Sequence, residues 1–179
     1  DAIKKLKPIK VPTIEQRKTD NTKQLLIDVA DAHIGMTVDI RDFEGNVISE
    51  YNFEIFKKRM WSLLESTIKI AEKENVSHVV VLNLGDTFDG LIHTSQMKHQ
   101  EMGVMEQVMN GSEFISEWLN KLSEHVTVDY RSVTGNHSEQ RPLMSGRSEF
   151  REENVEILST WYIKSRLSNN NRITVHDIK

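Results

Sequence analysis

The sequence predicts an α/β fold built around a mainly parallel sheet. Short apolar runs at 25–30, 79–84 and 126–133 have the length and composition of buried strands. Longer segments with apolar residues on one helical face lie between these runs. Because parallel strands need a long crossover connection, this alternation predicts strand–helix–strand units in one layered domain.

The first connection contains two elements. Residues 37–51 alternate apolar and polar side chains around a turn at Gly45, which predicts a small hairpin. Asn52 then stands at the N-cap position of a helix whose apolar face runs over 53–71.

The later elements repeat the pattern. Periodicity over 101–123 predicts a second helix, which we expect Gly111 to break or bend. A third helix is predicted over 150–167. After an Asn-rich turn at 168–171, a fourth strand is predicted over 173–178.

The two ends of the chain differ from its middle. Residues 1–23 are rich in Lys and Arg and contain two prolines, so we expect an extended basic N-terminal arm. Residues 24–179 would form the N-terminal portion of a larger domain, because the chain stops at Lys179 inside a predicted strand. We therefore expect a C-terminally truncated fragment.

Composition excludes several classes of protein. The 179 residues are 37% hydrophobic with a net charge of -4, which fits a globular domain without a global basic field. No apolar run reaches membrane-spanning length, so we expect no membrane partner. The absence of cysteine excludes disulfides and thiolate metal ligands, and it favours a reducing, cytoplasmic location.

Polar clusters follow the first three predicted strands. They contain Asp31 and His33, then Asp86, then Asn136 and His137. Because the carboxyl ends of parallel strands share one edge of a sheet, these side chains are expected to converge. Carboxylates, imidazole and amide oxygen together suit two adjacent divalent cations that act on a phosphoryl group. His137 could then protonate a leaving oxygen.

The three clusters read Asp-x-His, Gly-Asp-x-x-Asp and Gly-Asn-His, in this order over residues 25–139. This pattern resembles the calcineurin-like metallophosphoesterase superfamily. The Ile34-Gly35 and Phe88-Asp89 pairs make it similar to the DNA-repair exonuclease branch, whose nuclease subunits work with a coiled-coil ATPase. The resemblance implies a layered αββα sandwich, a phosphodiester substrate such as DNA, and an ATPase partner subunit.

The resemblance also implies the ligand set. Asp31, His33 and Asp86 would hold the first cation, and Asp86 and Asn136 the second. Manganese is the cation expected first, with zinc, ferrous iron and magnesium as alternatives. A hydroxide activated by the metals would attack phosphorus, with His137 as the catalytic acid.

Two features depart from the family pattern. Ser138 stands where the nuclease branch usually has an acidic residue. The two later histidine motifs of the family do not occur before the end of the chain, and His176 is the one histidine after His137. We therefore expect little activity from this chain alone.

Four further residues are candidates for supporting roles. Asp89 would orient the loop that carries Asp86, and His93, His99 and Arg141 would contact substrate. For the last three, an ordinary surface position is the simpler interpretation.

Two other functions remain open. The same site could act on small phosphate esters, cyclic nucleotides or phosphoproteins, which the acidic net charge favours. A non-catalytic scaffold subunit is the other, although it would not need the complete set of ligands.

Overall fold

The structure is a computed structural model that describes residues 9–13, 23–140 and 153–178. A hairpin follows the first strand, and helices and strands then alternate. In chain order they are β1 (Leu25–Val29), β2 (Val38–Arg41), β3 (Val47–Tyr51), α1 (Phe53–Lys73), β4 (His78–Asn83), a short 3₁₀ helix (Thr94–Lys98), α2 (Val104–Leu122), β5 (Thr127–Ser132), α3 (Val155–Arg166) and β6 (Ile173–Val175).

The central sheet has the strand order β1-β4-β5-β6, and each neighbouring pair is parallel. Strands β2 and β3 form a separate antiparallel hairpin. In register, Ile27 pairs with Val81 and Val81 with Tyr130, which places a buried row across three strands. The predicted α/β class with a mainly parallel sheet is confirmed.

The two faces of the sheet differ in burial. Side chains on one face alternate into the core, where they meet the helices. The opposite face carries Leu26, which is 57% exposed, and the exposed residues Asp28, Arg131 and Thr174. The core of the described residues therefore lies on one side of the sheet only.

Specific hydrogen bonds fix the helices. The Asn52 side chain caps α1 by accepting from the Ile55 amide at 2.9 Å, as its N-cap position predicted. The Trp118 indole donates to the Met60 carbonyl oxygen at 2.7 Å, which joins α2 to α1 inside the core.

Helix α2 corrects one prediction, because it runs unbroken through Gly111. The glycine instead allows a close approach. A Cβ at this position would lie 2.8 Å from Phe88 Cε1 and 2.9 Å from Ile34 Cδ1. Both of these side chains are fully buried, and they belong to the loops that follow β4 and β1.

Other boundaries differ from expectation by a few residues. Strand β6 ends at Val175, three residues before the predicted end at position 178. The beginning of the predicted third helix, at 150–152, lies outside the described residues, as does most of the predicted N-terminal arm. Of that arm, Ile9 packs against the core. Within the described ranges, no helix combines the length and the apolar character needed to cross a membrane.

We expect Gly111→Ala to lower the free energy of unfolding by about 1 kcal/mol, measured by urea denaturation. Alanine normally stabilises a helix interior by about 1 kcal/mol relative to glycine, but overpacking of a core costs about 1–3 kcal/mol. Gly103→Ala is the control, because no atom lies within 4 Å of the added Cβ. A more stable Gly111→Ala protein would show that Ile34 and Phe88 do not require this glycine.

Candidate metal centre

The loops that follow β1, β4 and β5 meet at one edge of the sheet. The His33 amide donates to the Asp86 carbonyl oxygen at 3.0 Å, and the Asp89 amide donates to that of Ile34 at 3.0 Å. The third loop is joined to the second by the His137 amide, which donates to Asp86 Oδ1 at 2.8 Å. The three polar clusters of the sequence are thus neighbours in space.

His33, Asp89 and His137 form the centre of this arrangement. Each offers one ligand atom, and these atoms all lie within 4.8 Å of one another. The two imidazole rings meet edge to face, with centroids 4.4 Å apart. Asp89 Oδ1 lies 3.6 Å from His33 Nδ1 and 3.7 Å from His137 Nδ1.

The other predicted ligands surround this group. Asp31 is exposed, and its Oδ1 lies 4.0 Å from His33 Nε2. Asp86 is partly buried and uses Oδ1 to hold the third loop. Asn136 is exposed and immediately precedes His137. Asp89 was predicted only to orient the loop that carries Asp86. In the structure its carboxylate also lies within 3.7 Å of a nitrogen of each histidine.

Three of the predicted ligands have left-handed backbone. The φ angles are 50° for Asp31, 43° for His33 and 51° for Asp86. Such conformations cost non-glycine residues about 1–3 kcal/mol each and are concentrated at functional sites. Gly90, with φ of 62°, lies so close to the third loop that a Cβ would collide with the His137 carbonyl oxygen.

Charge coupling is strongest between His33 and Asp89. The adjacent Asp89 side chain raises the pKa of His33 above its ordinary value, with smaller contributions from Asp86 and Asp31, while burial opposes the rise. Burial alone would raise the pKa of Asp89, but contact with His33 and the hydrogen bond from Gln100 lower it overall. The negative carboxylates around His33 therefore stabilise a positive charge on or near its imidazole ring.

The chemistry of these side chains fits a divalent cation. His33 Nδ1 is buried and makes no hydrogen bond among the described residues, although Asp89 Oδ1 lies 3.6 Å away. A buried polar atom without a hydrogen bond is uncommon in proteins, and a bound ion between these two atoms would satisfy both. Imidazole and carboxylate are a mixed ligand set that suits manganese, iron and zinc.

Glutamines around Asp89 were not predicted from the sequence. Gln100 donates to Asp89 Oδ2 at 2.7 Å and also to the Gly90 carbonyl oxygen. Gln96 donates to the Asp89 carbonyl oxygen at 3.1 Å, and Gln107 accepts from the Gly90 amide at 3.0 Å. A single glutamine carries no distinctive sequence signal, even when it is fully buried as Gln107 is, so these contacts become visible only in the fold.

Glu156 is a second residue that sequence analysis missed. It is 1% exposed and contacts Thr87 and Ser138, which are chain neighbours of Asp86 and His137. A single acidic residue in a predicted helix gives no sign of such a contact. In the fold, Glu156 is recognisable as an acidic residue that is buried in the first turn of α3.

The predicted substrate contacts have different positions. His99 lines a groove of about 400 Å³ together with Asp39, Asp89 and Gln96. His93 is exposed and precedes the 3₁₀ helix. Arg141 lies outside the described residues.

The chain is similar to the SPbeta prophage-derived uncharacterized protein YonJ of Bacillus subtilis (strain 168). The two are 33% identical over 178 residues, which cover 98% of this chain and 42% of the relative. The chain therefore spans less than half the length of this relative. No family model and no solved structure matches the chain.

We expect His33→Ala to weaken Mn²⁺ binding at least tenfold in calorimetric titrations, because it removes a ligand from the centre of the cluster. His125→Ala is the matched control. His125 is exposed and precedes β5, at the end of the strand opposite to His137. Equal affinities of the two variants would contradict the proposed position of the metal.

Proposed function

We propose that the protein is a metal-dependent phosphoesterase, specifically a phosphodiesterase of nuclease type that hydrolyses DNA. The observation that carries the proposal is the convergence of His33, Asp89 and His137 within 4.8 Å, at the strand ends that also carry Asp31 and Asp86. The motif order supports the same assignment through its resemblance to the calcineurin-like metallophosphoesterases.

Asp31, His33, Asp86 and Asn136 are the proposed ligands of two cations, with manganese as the first choice. Bound cations would supply Lewis-acid stabilisation of phosphoryl oxygens and lower the pKa of a bound water. Asp86 also fixes the third loop through its bond to the His137 amide. Loss of Asp86 would therefore remove a ligand and disturb the position of His137 together.

The position of His137 suits the proposed role of proton donor. Its Nδ1 lies 2.9 Å from the Asp89 carbonyl oxygen and 3.3 Å from the Gln96 side-chain amide nitrogen, so residues 89 and 96 hold this side of the ring. We propose that Nε2 is the nitrogen that exchanges a proton with a leaving oxygen. Asp89 orients the ring through this carbonyl oxygen, and its carboxylate Oδ1 lies 3.7 Å from His137 Nδ1.

The proposal also concerns a second layer of β-sheet. An all-parallel sheet is normally covered on both faces, whereas none of the described residues covers the face that carries Leu26, which is 57% exposed. We propose that a second sheet covers this face in proteins of the length of YonJ, which would give the αββα sandwich of the superfamily. The length of YonJ, of which this chain matches 42%, provides enough sequence for that layer.

A DNA-processing role would place the protein in the cytoplasm, with the coiled-coil ATPase subunit implied by the resemblance as its partner. Hydrolysis of small phosphate esters is the second candidate. Asp39 and Asp89 line the groove beside the site, and acidic side chains there disfavour a polyanionic strand.

We expect Mn²⁺-dependent cleavage of bis(4-nitrophenyl) phosphate and of DNA oligonucleotides by intact YonJ, and much slower cleavage by this chain, which lacks the two later histidine motifs. His137→Gln should lower kcat about 100-fold or more, because it removes the proton donor. Asp86→Asn should abolish activity in both assays. His125→Gln is the control and should retain full activity.

The substrate panel separates the two candidates. Cleavage of the small diester with every DNA substrate left intact would favour the small-ester function. Absence of Mn²⁺-dependent hydrolysis from both this chain and intact YonJ would contradict the enzymatic proposal.

A second experiment tests whether a second sheet covers the face that carries Leu26. Leu26→Lys should change the free energy of unfolding of this chain by less than about 0.5 kcal/mol, because the side chain is already exposed. The aligned substitution in intact YonJ should cost about 2 kcal/mol or more, because it would bury a charge beneath the second sheet. Denaturant titration measures both values, and equally small changes would argue against that layer.

A further inference from the structure

Glu156 connects two of the loops that build the candidate metal centre. Its Oε1 accepts from the Thr87 amide at 2.8 Å and from the Ser138 hydroxyl at 3.0 Å. Its Oε2 accepts from the Thr87 hydroxyl at 2.9 Å. One carboxylate thus accepts three hydrogen bonds from residues on two different loops.

The donors have particular places in the chain. Thr87 lies between Asp86 and Phe88, and Ser138 directly follows His137. Any movement of the Glu156 carboxylate is therefore transmitted to the neighbouring residues of the metal centre. Glu156 itself contacts no predicted ligand, so its effect on the site is indirect.

The start of α3 holds this carboxylate in place. The Asn154 side chain accepts from the Glu156 amide at 3.0 Å and donates to the Gly135 carbonyl oxygen at 2.8 Å. The Val155 amide donates to the Ser138 carbonyl oxygen at 2.9 Å. The first turn of α3 is thereby fixed on the third loop, and Glu156 extends from it to the second.

Burial makes this connection rigid. Glu156, Thr87 and Ser138 are all at most 3% exposed. The Thr87 hydroxyl also accepts from the Asn83 side-chain Nδ2 at 2.7 Å, which links the same network to the end of β4. Buried hydrogen bonds that are all satisfied restrict the backbone to one arrangement.

We propose that Glu156 is a positioning residue that sets the spacing between the loop of Asp86 and Asp89 and the loop of Asn136 and His137. This role rests on the proposed function, because it matters chemically only if the two loops share metal ions and substrate. The carboxylate also occupies the space beside Ser138, the position at which the resemblance leads one to expect an acidic side chain.

The experiment compares Glu156→Ala with Ile163→Val, a control on the same helix. Ile163 is fully buried in the core two turns further along α3, so its truncation destabilises the helix packing without removing a loop contact. We expect Glu156→Ala to weaken Mn²⁺ binding at least tenfold in calorimetry. Ile163→Val should lower the melting temperature while leaving Mn²⁺ affinity unchanged.

A second readout needs no metal. In hydrogen exchange of the metal-free protein, the Thr87 and His137 amides should exchange at least tenfold faster in Glu156→Ala, beyond any change in global stability. Glu156→Gln keeps one acceptor oxygen and should restore part of the protection. Wild-type exchange rates and wild-type Mn²⁺ affinity in Glu156→Ala would overturn the proposal.

The two readouts separate this inference from the proposed function. If the wild-type protein binds no Mn²⁺, the metal proposal fails, and hydrogen exchange alone decides whether Glu156 fixes the loops. If Glu156→Ala does not fold, the double variant Thr87→Val, Ser138→Ala replaces it, because it removes two of the three hydrogen bonds. Unchanged His137 exchange in that variant would equally overturn the proposal.

Discussion

The candidate metal centre depends on three irregular loops that satisfy one another's hydrogen bonds. Buried backbone groups need partners, and outside regular strands these loops find them in each other. The His33 amide uses the Asp86 carbonyl oxygen, and the His137 amide uses the Asp86 carboxylate. Each of these bonds joins positions that are far apart in sequence. The polar side chains therefore converge because the parallel sheet brings the ends of β1, β4 and β5 to one edge.

Apolar residues of the same loops anchor this arrangement in the core. Ile34 and Phe88 are fully buried and pair across the first and second loops. Both pack against Gly111 on α2, where a side chain would not fit. Ile34 and Phe88 each lie next to a polar residue of the site, His33 in the first loop and Asp89 in the second. These two buried side chains anchor the loops that contain the residues with left-handed backbone.

Local patterns predicted the strands, the helices and the loops that meet, because apolar periodicity and polar clusters are properties of short segments. The contacts of Asp89 with both histidines were not predictable, since its place near Asp86 in the sequence does not fix the direction of its side chain. Glu156 was missed because it is 69 residues from Thr87 along the chain. The predicted break at Gly111 was wrong for a related reason, since a glycine signals either a break or a close contact.

The acidic side chains of the candidate metal centre shift the pKa of His33 in the same direction. Asp31, Asp86 and Asp89 all act to raise the pKa of His33, so their negative charges stabilise a positive charge at the His33 ring. Burial raises the pKa of Glu156, and the nearby Asp86 charge adds to that effect. The carboxylates of these residues repel one another. A proton bound to His33 reduces that repulsion, but a proton binds to a single atom. A divalent cation accepts electron pairs from several ligands together, and imidazole and carboxylate atoms of the described residues lie within 4.8 Å of one another. The geometry is thus compatible with a metal ion as well as with a protonated histidine.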